Sequence, residues 1–339
     1  AYEIASCLVG SKMCIRDRYK STRVSNQILI IYLFKMQQER NYSIDLLKTI
    51  LAFLIVLHHS PSPFHDTMQP ITTCAVPTFF MISGFLIFRK EISFKRIMKN
   101  AIRIMKIFLG ALLIFYIWFW IRHEELYIPN FKDICLMVFA NNEPLSGHLW
   151  YLMAYAYALI VIAIFTLKGK MQYLKYIAII GLVLYFLFDI WHIYCNVPKY
   201  LTLVYCFRNF FFTAIPMMFI GSTVVDRNSI RTKTIAVWLI FFSICAWVEM
   251  NSFHVNHIAD VYFFTIPLSF FLFSLFVNCK IRKPNILTKC GEKYSLYIYI
   301  TSNYNKAVNK RVWTRYLFCR YDVFYANLIG FSSICSFQK

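Results

Sequence analysis

Long apolar runs separated by short polar segments recur along most of the chain. They lie at 44–59, 71–88, 104–121, 148–167, 173–190, 204–225, 234–250 and 260–278, with a weaker run from 294 and an interrupted one at 317–336. The first eight have 16 to 22 residues, a length that suits helices crossing a bilayer. The pattern predicts an all-α fold, a polytopic transmembrane helix bundle of about nine to ten spans. A shorter run at 131–140 is expected to lie at the membrane interface.

Composition excludes the main alternatives to a membrane protein. Of 339 residues, 59% are hydrophobic and only 15% are charged, which is too little charge for a soluble surface of this size. The net charge of +20 raises the question of nucleic acid, but the basic residues lie in short segments between apolar runs, so no nucleic-acid partner is expected. The eleven cysteines form no C-x-x-C pair and are interpreted as small core hydrophobes.

The basic residues alternate between loops in the way that sets membrane orientation. Segments 89–106, 168–175, 226–233 and 280–293 carry 18 Lys and Arg, whereas the alternate loops 60–70, 122–147, 191–202 and 251–259 carry 3. Cytoplasmic loops hold the excess of Lys and Arg in membrane proteins. The alternation therefore predicts a cytoplasmic N-terminus.

Three regions of different character follow one another. Residues 1–40 form an N-terminal tail whose first 20 or so, including "ASCLVGSKMCIRDR", resemble a translated sequencing adapter and are expected to be non-native. Residues 41–300 form the membrane domain. Residues 301–339 are irregular, because "NKAVNKRVWTRYLFCRYD" interrupts an expected apolar hairpin. A frameshift near residue 301 would explain this last segment.

The first apolar run carries ionisable groups at both ends. Lys48 lies toward the predicted cytoplasmic side, and His58 and His59 lie toward the outer side. Eleven residues of helix separate Lys48 from His59, which is about 16 Å at 1.5 Å per residue. The run therefore places a cation near one face of the membrane and imidazoles in the opposite half.

Three stretches carry a resemblance to a known family. They are "IDLLKTILAFLIVLHH" at 44–59, "VPTFFMISGFLIF" at 76–88 with the basic "FKRIMKNAIRIMK" after it, and "GHLWYLMAYAYALI" at 147–160, with a weaker fourth, "GEKYSLYIYIT", at 291–301. In order and spacing they resemble acyltransferase family 3, the bacterial integral-membrane acyltransferases that modify cell-surface glycans. Two positions depart from the family pattern, since Lys48 replaces the usual Arg and Thr301 stands where a His is expected.

The resemblance implies a reaction, a location and partners. It implies transfer of an acyl group, acetyl above all, from a cytoplasmic acyl-CoA to a hydroxyl of a surface polysaccharide or lipid-linked glycan, in the bacterial cytoplasmic membrane. The partners are then the lipid bilayer, the acyl-CoA donor substrate and the glycan, with no bound cofactor. His59 is the candidate catalytic residue, acting either as a base on the acceptor hydroxyl or through a covalent acyl intermediate, since imidazole titrates near neutral pH. His58 is interpreted as its neighbour.

Four residues are candidates for binding the donor, and each has an alternative role. Lys48 and Arg96 could neutralise the phosphates of the donor, as could Arg103, which enters the third span. Lys48 equally satisfies the positive-inside rule, and the basic face formed by Arg96, Lys99, Arg103 and Lys106 equally suits anionic lipid headgroups. Ser83, beside Gly84, either allows close helix packing or leaves room for the pantetheine arm.

Three residues are candidates for contacting the acceptor or lining its cavity. His148 and Trp150 open the fourth span at the outer face, where Trp is also expected as an interface anchor. Arg208 lies within an apolar run, where a charge needs a partner or water, so it either lines the cavity or pairs with Asp189 or Glu249. The cluster His254, His257 and Asp260 lacks a helix-borne Glu between the histidines, and no metal site is expected.

Two other functions remain open from the sequence. A transporter of a glycan or small solute has the same composition and topology, although such proteins tend to show repeat symmetry or Gly- and Pro-broken helices in two halves, and no such repeat is evident here. An inactive gene fragment is the other, because both ends of the chain are irregular.

Overall fold

The computed structural model describes residues 41–59, 65–141, 145–187, 208–224, 232–252, 263–279, 281 and 283–302. All regular structure in these ranges is helical, as the apolar pattern predicts, and no strand occurs within them. The predicted outer cluster of His254, His257 and Asp260 lies outside them, as do Asp189 and the two terminal regions 1–40 and 303–339.

Twelve α-helices follow one another in the described ranges. They are α1 Tyr42–His59, α2 His65–Thr72, α3 Ala75–Phe88, α4 Phe94–His123, α5 Phe131–Ala140, α6 Trp150–Leu167, α7 Leu174–Tyr185, α8 Ile215–Thr223, α9 Thr232–Ser252, α10 Thr265–Asn278, α11 Ile286–Lys293 and α12 Ser295–Thr301. Short 3₁₀ helices at Gly147–Leu149 and Met171–Tyr173 precede α6 and α7, and a short π-helical turn at Phe210–Ala214 precedes α8.

Five helical segments are long and apolar enough to cross a membrane. They are Tyr42–His59, Thr67–Phe88, Phe94–His123, Gly147–Leu167 and Thr232–Ser252. Three shorter apolar segments, Met171–Tyr185, Phe210–Thr223 and Thr265–Asn278, coincide with other predicted spans. These three border residues outside the described ranges. A multi-pass membrane protein is thus confirmed, while the number of nine to ten spans and the side of the N-terminus stay predictions.

Helix α4 begins earlier than the apolar pattern predicts. The span was expected from residue 104, but the helix starts at Phe94 and continues for 30 residues. The basic segment has no proline to interrupt it, and Lys, Arg, Met and Ile all tolerate helix interiors. At 1.5 Å per residue the helix is about 45 Å long, longer than the hydrocarbon core. The basic first turns of α4 therefore belong to the same helix but lie outside its membrane-crossing part.

Helix α5 is a ten-residue helix in the position expected of an interfacial segment. Asn130 and Asp133 form a capping box at its start, each accepting a hydrogen bond from the backbone N–H of the other. Phe131 and Phe139 at its ends are 81% and 77% exposed. It is too short to cross a bilayer, and its exposed apolar side chains suit the boundary of the lipid.

Helices α3 and α8 cross at two glycines that face each other's backbone. A Cβ added at Gly84 would lie 1.9 Å from the carbonyl oxygen of Met218, and one at Gly221 would lie 2.1 Å from the carbonyl oxygen of Met81. Small residues at such crossings allow helix backbones to approach closely in membranes. Gly84 therefore has a packing role, and its neighbour Ser83 lies at the edge of this contact.

Substituting either crossing glycine is expected to destabilise the protein. Gly84→Ala and Gly221→Ala should each lower the free energy of unfolding by about 1–3 kcal/mol or more, because the added methyl meets backbone that cannot rotate away. Thermal unfolding in detergent measures the effect. Gly110→Ala is the matched control, since nothing lies within 4 Å of a Cβ added there, and it should stabilise α4 by about 0.5–1 kcal/mol. Equal melting temperatures for the three variants would contradict the crossing.

Helix α11 is held tightly against α1. A Cβ at Gly291 would lie 1.8 Å from the carbonyl oxygen of Asp45, and the Thr49 hydroxyl donates a hydrogen bond to the carbonyl of Leu287 at 2.6 Å. Ser43 adds a further link, because its hydroxyl donates to the carbonyl of Cys279. These contacts place α12, which follows α11 directly, alongside the half of α1 that ends in His59.

Candidate active site

A cavity of about 580 Å³ lies among α1, α3, α4, α6, α11 and α12. Its walls are mainly apolar, but ionisable and hydroxyl-bearing side chains are grouped along it. The cationic members are Lys48, Lys90, Arg96 and Arg103, and the hydroxyl-bearing members are Ser83, Tyr151, Tyr155, Ser295 and Tyr299. Along α1 the cavity extends from Lys48 to Ile55, so it ends one helical turn before His59.

Two of the cavity cations also have bonds within the protein. Lys48 Nζ forms an ion pair with the buried carboxylate of Asp45 at 3.1 Å. The Arg96 guanidinium donates to the backbone carbonyls of Ile87 at 2.9 Å and Lys90 at 3.4 Å, which satisfies carbonyls at and just beyond the end of α3. Asp45 was missed in the sequence, although its i, i+3 spacing to Lys48 is a visible signal.

Arg103 is positioned differently from these two. Its side chain is exposed, yet it lines the cavity and interacts electrostatically with the Tyr155 hydroxyl. Lys106, one turn further along α4, is exposed but does not line the cavity. Among the four basic residues of this helix face, Arg96 and Arg103 therefore line the cavity.

A group of hydroxyls occupies the middle of the cavity. The Ser83 side chain interacts with the hydroxyls of Tyr151 and Tyr155 and donates a hydrogen bond to the carbonyl of Phe79 at 2.9 Å. The two tyrosine rings stack with centroids 6.1 Å apart. They are four residues apart on α6 and so share one face. The i, i+4 spacing of Tyr151 and Tyr155, shortly after His148 in the chain, is the signal by which the sequence could have placed the two hydroxyls together.

Tyr299 and His148 link α12 to the start of α6. The Tyr299 hydroxyl donates to the backbone carbonyl of His148, and His148 Nε2 lies 2.9 Å from the carbonyl oxygen of Ile300. A carbonyl can only accept, so Nε2 carries the proton, and Nδ1 of the neutral ring accepts from the Ser146 hydroxyl at 3.1 Å. His148 is therefore held on both ring nitrogens by groups of the protein itself.

His59 lies beside this link. Its ring centroid is 6.1 Å from that of His148, at an interplanar angle of 66°, and its side chain is half-buried. Tyr299 lines the cavity while its ring contacts that of His148 at 5.8 Å. The rings of Tyr299, His148 and His59 thus form a continuous series that connects the cavity with the imidazole at the end of α1.

His58 turns toward a different helix. Its Nδ1 lies 3.1 Å from the Thr72 hydroxyl, which itself donates to the carbonyl of Gln69. The Thr72 oxygen must therefore accept, so His58 Nδ1 carries a proton. Neighbouring helical residues point about 100° apart, and His58 accordingly connects α1 to α2 while His59 faces His148.

Trp150 and Arg208 have surroundings that the sequence did not indicate. Trp150 is buried and its ring lies 6.2 Å from Phe80, so it packs between helices. Arg208 is half-buried just before the π-turn, and its carbonyl accepts from the Asn141 amide at 3.4 Å. Glu249, one of its two expected partners, accepts from the backbone N–H groups of Phe263 and Phe264, both at 2.9 Å.

Two further expectations concern metals and the end of the family pattern. Within the ranges that the structure describes, no group of three His, Cys, Asp or Glu side chains is arranged to hold a metal ion. Thr301 is exposed at the last position of α12, and its hydroxyl donates to the carbonyl of Tyr297 at 2.9 Å. The threonine therefore bonds to its own helix, next to the Ile300 carbonyl that His148 uses.

Comparison with known proteins agrees with the motifs. Residues 41–325 match the family model Acyl_transf_3, described as an acyltransferase domain. The match begins at the start of the predicted membrane domain and continues past residue 301. No curated protein and no solved structure matches the chain significantly. Because the matched region is well over half of the chain and the helices include membrane spans, the chain belongs to acyltransferase family 3 and is a multi-pass membrane acyltransferase.

Proposed function

We propose that the protein transfers an acyl group, acetyl in the simplest case, from cytoplasmic acyl-CoA to a hydroxyl of a glycan outside the bacterial cytoplasmic membrane. The observation that carries the proposal is the cavity along α1, with cations at its Lys48 end and the turn below His59 at its other end. This polarity suits a donor with a polyanionic head and an uncharged reactive arm. With the N-terminus cytoplasmic, the cations face the compartment that holds CoA thioesters.

The cavity has a size and lining that suit the donor arm. Its volume of about 580 Å³ falls within the usual range for small-molecule sites. Arg103 binds a donor phosphate at the mouth, where its exposed guanidinium can form paired hydrogen bonds. Arg96, tied to the end of α3, and Lys48, paired with Asp45, contribute positive potential more than direct contacts. Ser83, Tyr151 and Tyr155 offer hydroxyls to the amides of the pantetheine arm.

His59 supplies the base for the transfer. It removes the proton from the acceptor hydroxyl as the oxygen attacks the thioester carbonyl, and the carbon–sulfur bond then breaks. The imidazolium returns the proton to the departing CoA thiolate, so no proton accumulates. His148 and Tyr299 position the ring and do not titrate in the step. His58, bonded to Thr72, holds the end of α1 in place.

Membrane vesicles separate this reaction from transport. Inverted vesicles of a producing strain, supplied with radiolabelled acetyl-CoA, should incorporate label into glycan when they contain the protein and not when they lack it. A transporter would move solute without forming the ester, so label would stay in acetyl-CoA. Base-labile label in the glycan fraction is the expected result, and its absence in intact, correctly inserted protein would reject the proposal.

Removal of the Arg103 charge is expected to weaken donor binding. Arg103→Ala should raise KM for acetyl-CoA by about tenfold with little change in kcat, since a hydrogen bond to a charged group contributes about 1.5–3 kcal/mol. Initial rates at varied acetyl-CoA measure this. Lys106→Ala removes the same charge one turn away from the cavity and should leave KM unchanged. Equal effects of the two variants would instead assign this helix face to lipid headgroups.

A further inference from the structure

A second group of side chains lies at the far end of α4, beyond the candidate active site. Tyr116, Phe119, His123 and Tyr127 form a set of adjoining rings, named here the outer ring cluster. Phe119 and His123 stack with centroids 4.1 Å apart at 26°, and Tyr127 lies edge-on to Phe119 at 5.7 Å and to Tyr116 at 5.9 Å. Neither the family match nor the reaction above assigns these residues a role.

The cluster is fixed in place by hydrogen bonds. His123 Nδ1 lies 3.0 Å from the carbonyl oxygen of Phe119, so Nδ1 carries the proton and Nε2 of the neutral ring is an acceptor. Helix α4 ends at Glu124 in the left-handed conformation, with φ 56°, which turns the chain back so that Tyr127 covers Phe119. The Tyr127 hydroxyl then donates to Asp133 at 2.8 Å, the residue that caps α5.

The cluster continues the ring series that contains the catalytic imidazole. The ring of His148 lies 6.1 Å from His59 and 5.4 Å from Phe115. Phe119 follows Phe115 by one helical turn, and His123 follows by two, so all three share one side of α4. The rings therefore extend outward from His59 along a single face of the helix.

The opposite face of the same helix has a different chemistry. Leu113, Ile117 and Ile121 are 61%, 46% and 61% exposed, and at 100° per residue they lie on the side away from Phe115 and Phe119. Exposed aliphatic side chains suit lipid tails. Phe115, Phe119 and His123 lie on the face that leads to His59, so these two sides of α4 suit different surroundings.

We propose that the outer ring cluster binds pyranose rings of the glycan acceptor, holding sugar units next to the one that is acylated. The exposed His123 ring, which stacks on Phe119, suits the C–H side of a sugar ring, while its Nε2 accepts a hydrogen bond from a sugar hydroxyl. The assignment rests on the proposed function, because it takes the acceptor to be a glycan on the His59 side of the membrane.

Sugar binding can be measured without the transfer reaction. The full chain in lipid nanodiscs is titrated with maltotetraose and with chitotetraose, and saturation-transfer NMR reports the affinity. Binding should be saturable for at least one of them. Phe119→Ala and His123→Ala should each weaken it about threefold to tenfold, the range expected for one aromatic contact. His123 is exposed, so its variant should fold even where Phe119→Ala does not.

Two controls separate this proposal from its alternatives. Ile121→Ala removes an exposed side chain from the lipid-facing side of α4 and should leave affinity unchanged. His59→Ala should also bind sugar normally, so a failure of the catalytic proposal would be visible as lost transfer with intact binding. No saturable signal in the unmodified protein, or equal affinity in the His123→Ala and unmodified proteins, would overturn the assignment and leave the cluster as an interfacial anchor.

Discussion

The His59→Ala variant is expected to insert and fold normally while losing acyl transfer. A positioned general base contributes about 10²–10⁴-fold to a reaction, so kcat should fall by that factor with KM for acetyl-CoA nearly unchanged. The cavity proposed for the donor ends one turn below His59, which is why donor binding should persist. Rates of label transfer from radiolabelled acetyl-CoA to glycan in membrane vesicles measure the loss.

The neighbouring histidine provides the matched control for this variant. His58→Ala removes the same group one residue away but breaks only the tie to Thr72. Its activity should fall far less, and its melting temperature should fall by a few degrees at most. Full activity in His59→Ala, or a greater loss in His58→Ala, would contradict the assignment of the base.

Substitution of His148 is expected to separate a positioning role from a catalytic one. His148→Ala leaves the Ile300 carbonyl and the Ser146 hydroxyl without their ring partner, and each buried group left unsatisfied costs about 1–3 kcal/mol. The protein should therefore lose both stability and activity. His148→Gln keeps an N–H donor near the Nε2 position, so it should retain most of both.

Thermal unfolding and transfer rates, measured on both His148→Ala and His148→Gln, test this expectation. A positioning role predicts that stability and activity recover together in His148→Gln. If His148→Gln were as inactive as His59→Ala while melting at the normal temperature, His148 would take part in the proton transfer and its role would not be positioning alone. Tyr299→Phe adds a smaller version of the same test, because it removes only the hydrogen bond to the His148 carbonyl.

Much of the helical layout could be predicted from the sequence because each apolar run carries its own signal. A run such as 148–167 is long and nearly uncharged. In a bilayer its backbone N–H and C=O groups must bond to each other, and a helix achieves this within one segment. The start of α4 at Phe94 cannot be found from the apolar run alone, since charged helix formers extend the helix beyond it, but the spacing of Arg96, Lys99, Arg103 and Lys106 indicated a helical basic face there. The family motifs likewise made His59 and the basic segment candidates for function.

The arrangement of the site could not be predicted in the same way. The Tyr299–His148 hydrogen bond joins residues 151 positions apart, and no local pattern in a single sequence indicates such a pair. The contact between the buried Trp150 ring and Phe80 likewise joins residues of two helices that no local pattern relates. By contrast, the Lys48–Asp45 pair is local, and its i, i+3 spacing could have indicated it, although Asp45 was not among the candidate residues.

The central claim is that the acyl group passes along α1 from the Lys48 side to His59. Supplying acetyl-CoA to one side of the membrane at a time tests this claim most directly. Sealed vesicles of defined orientation, carrying the glycan of the producing strain on the His59 side, receive radiolabelled acetyl-CoA on one side or the other. The account predicts labelled glycan only when the donor is on the side of Lys48 and Arg103, since those cations line the cavity. Equal labelling from a donor supplied on the His59 side would contradict the passage of the acyl group along α1.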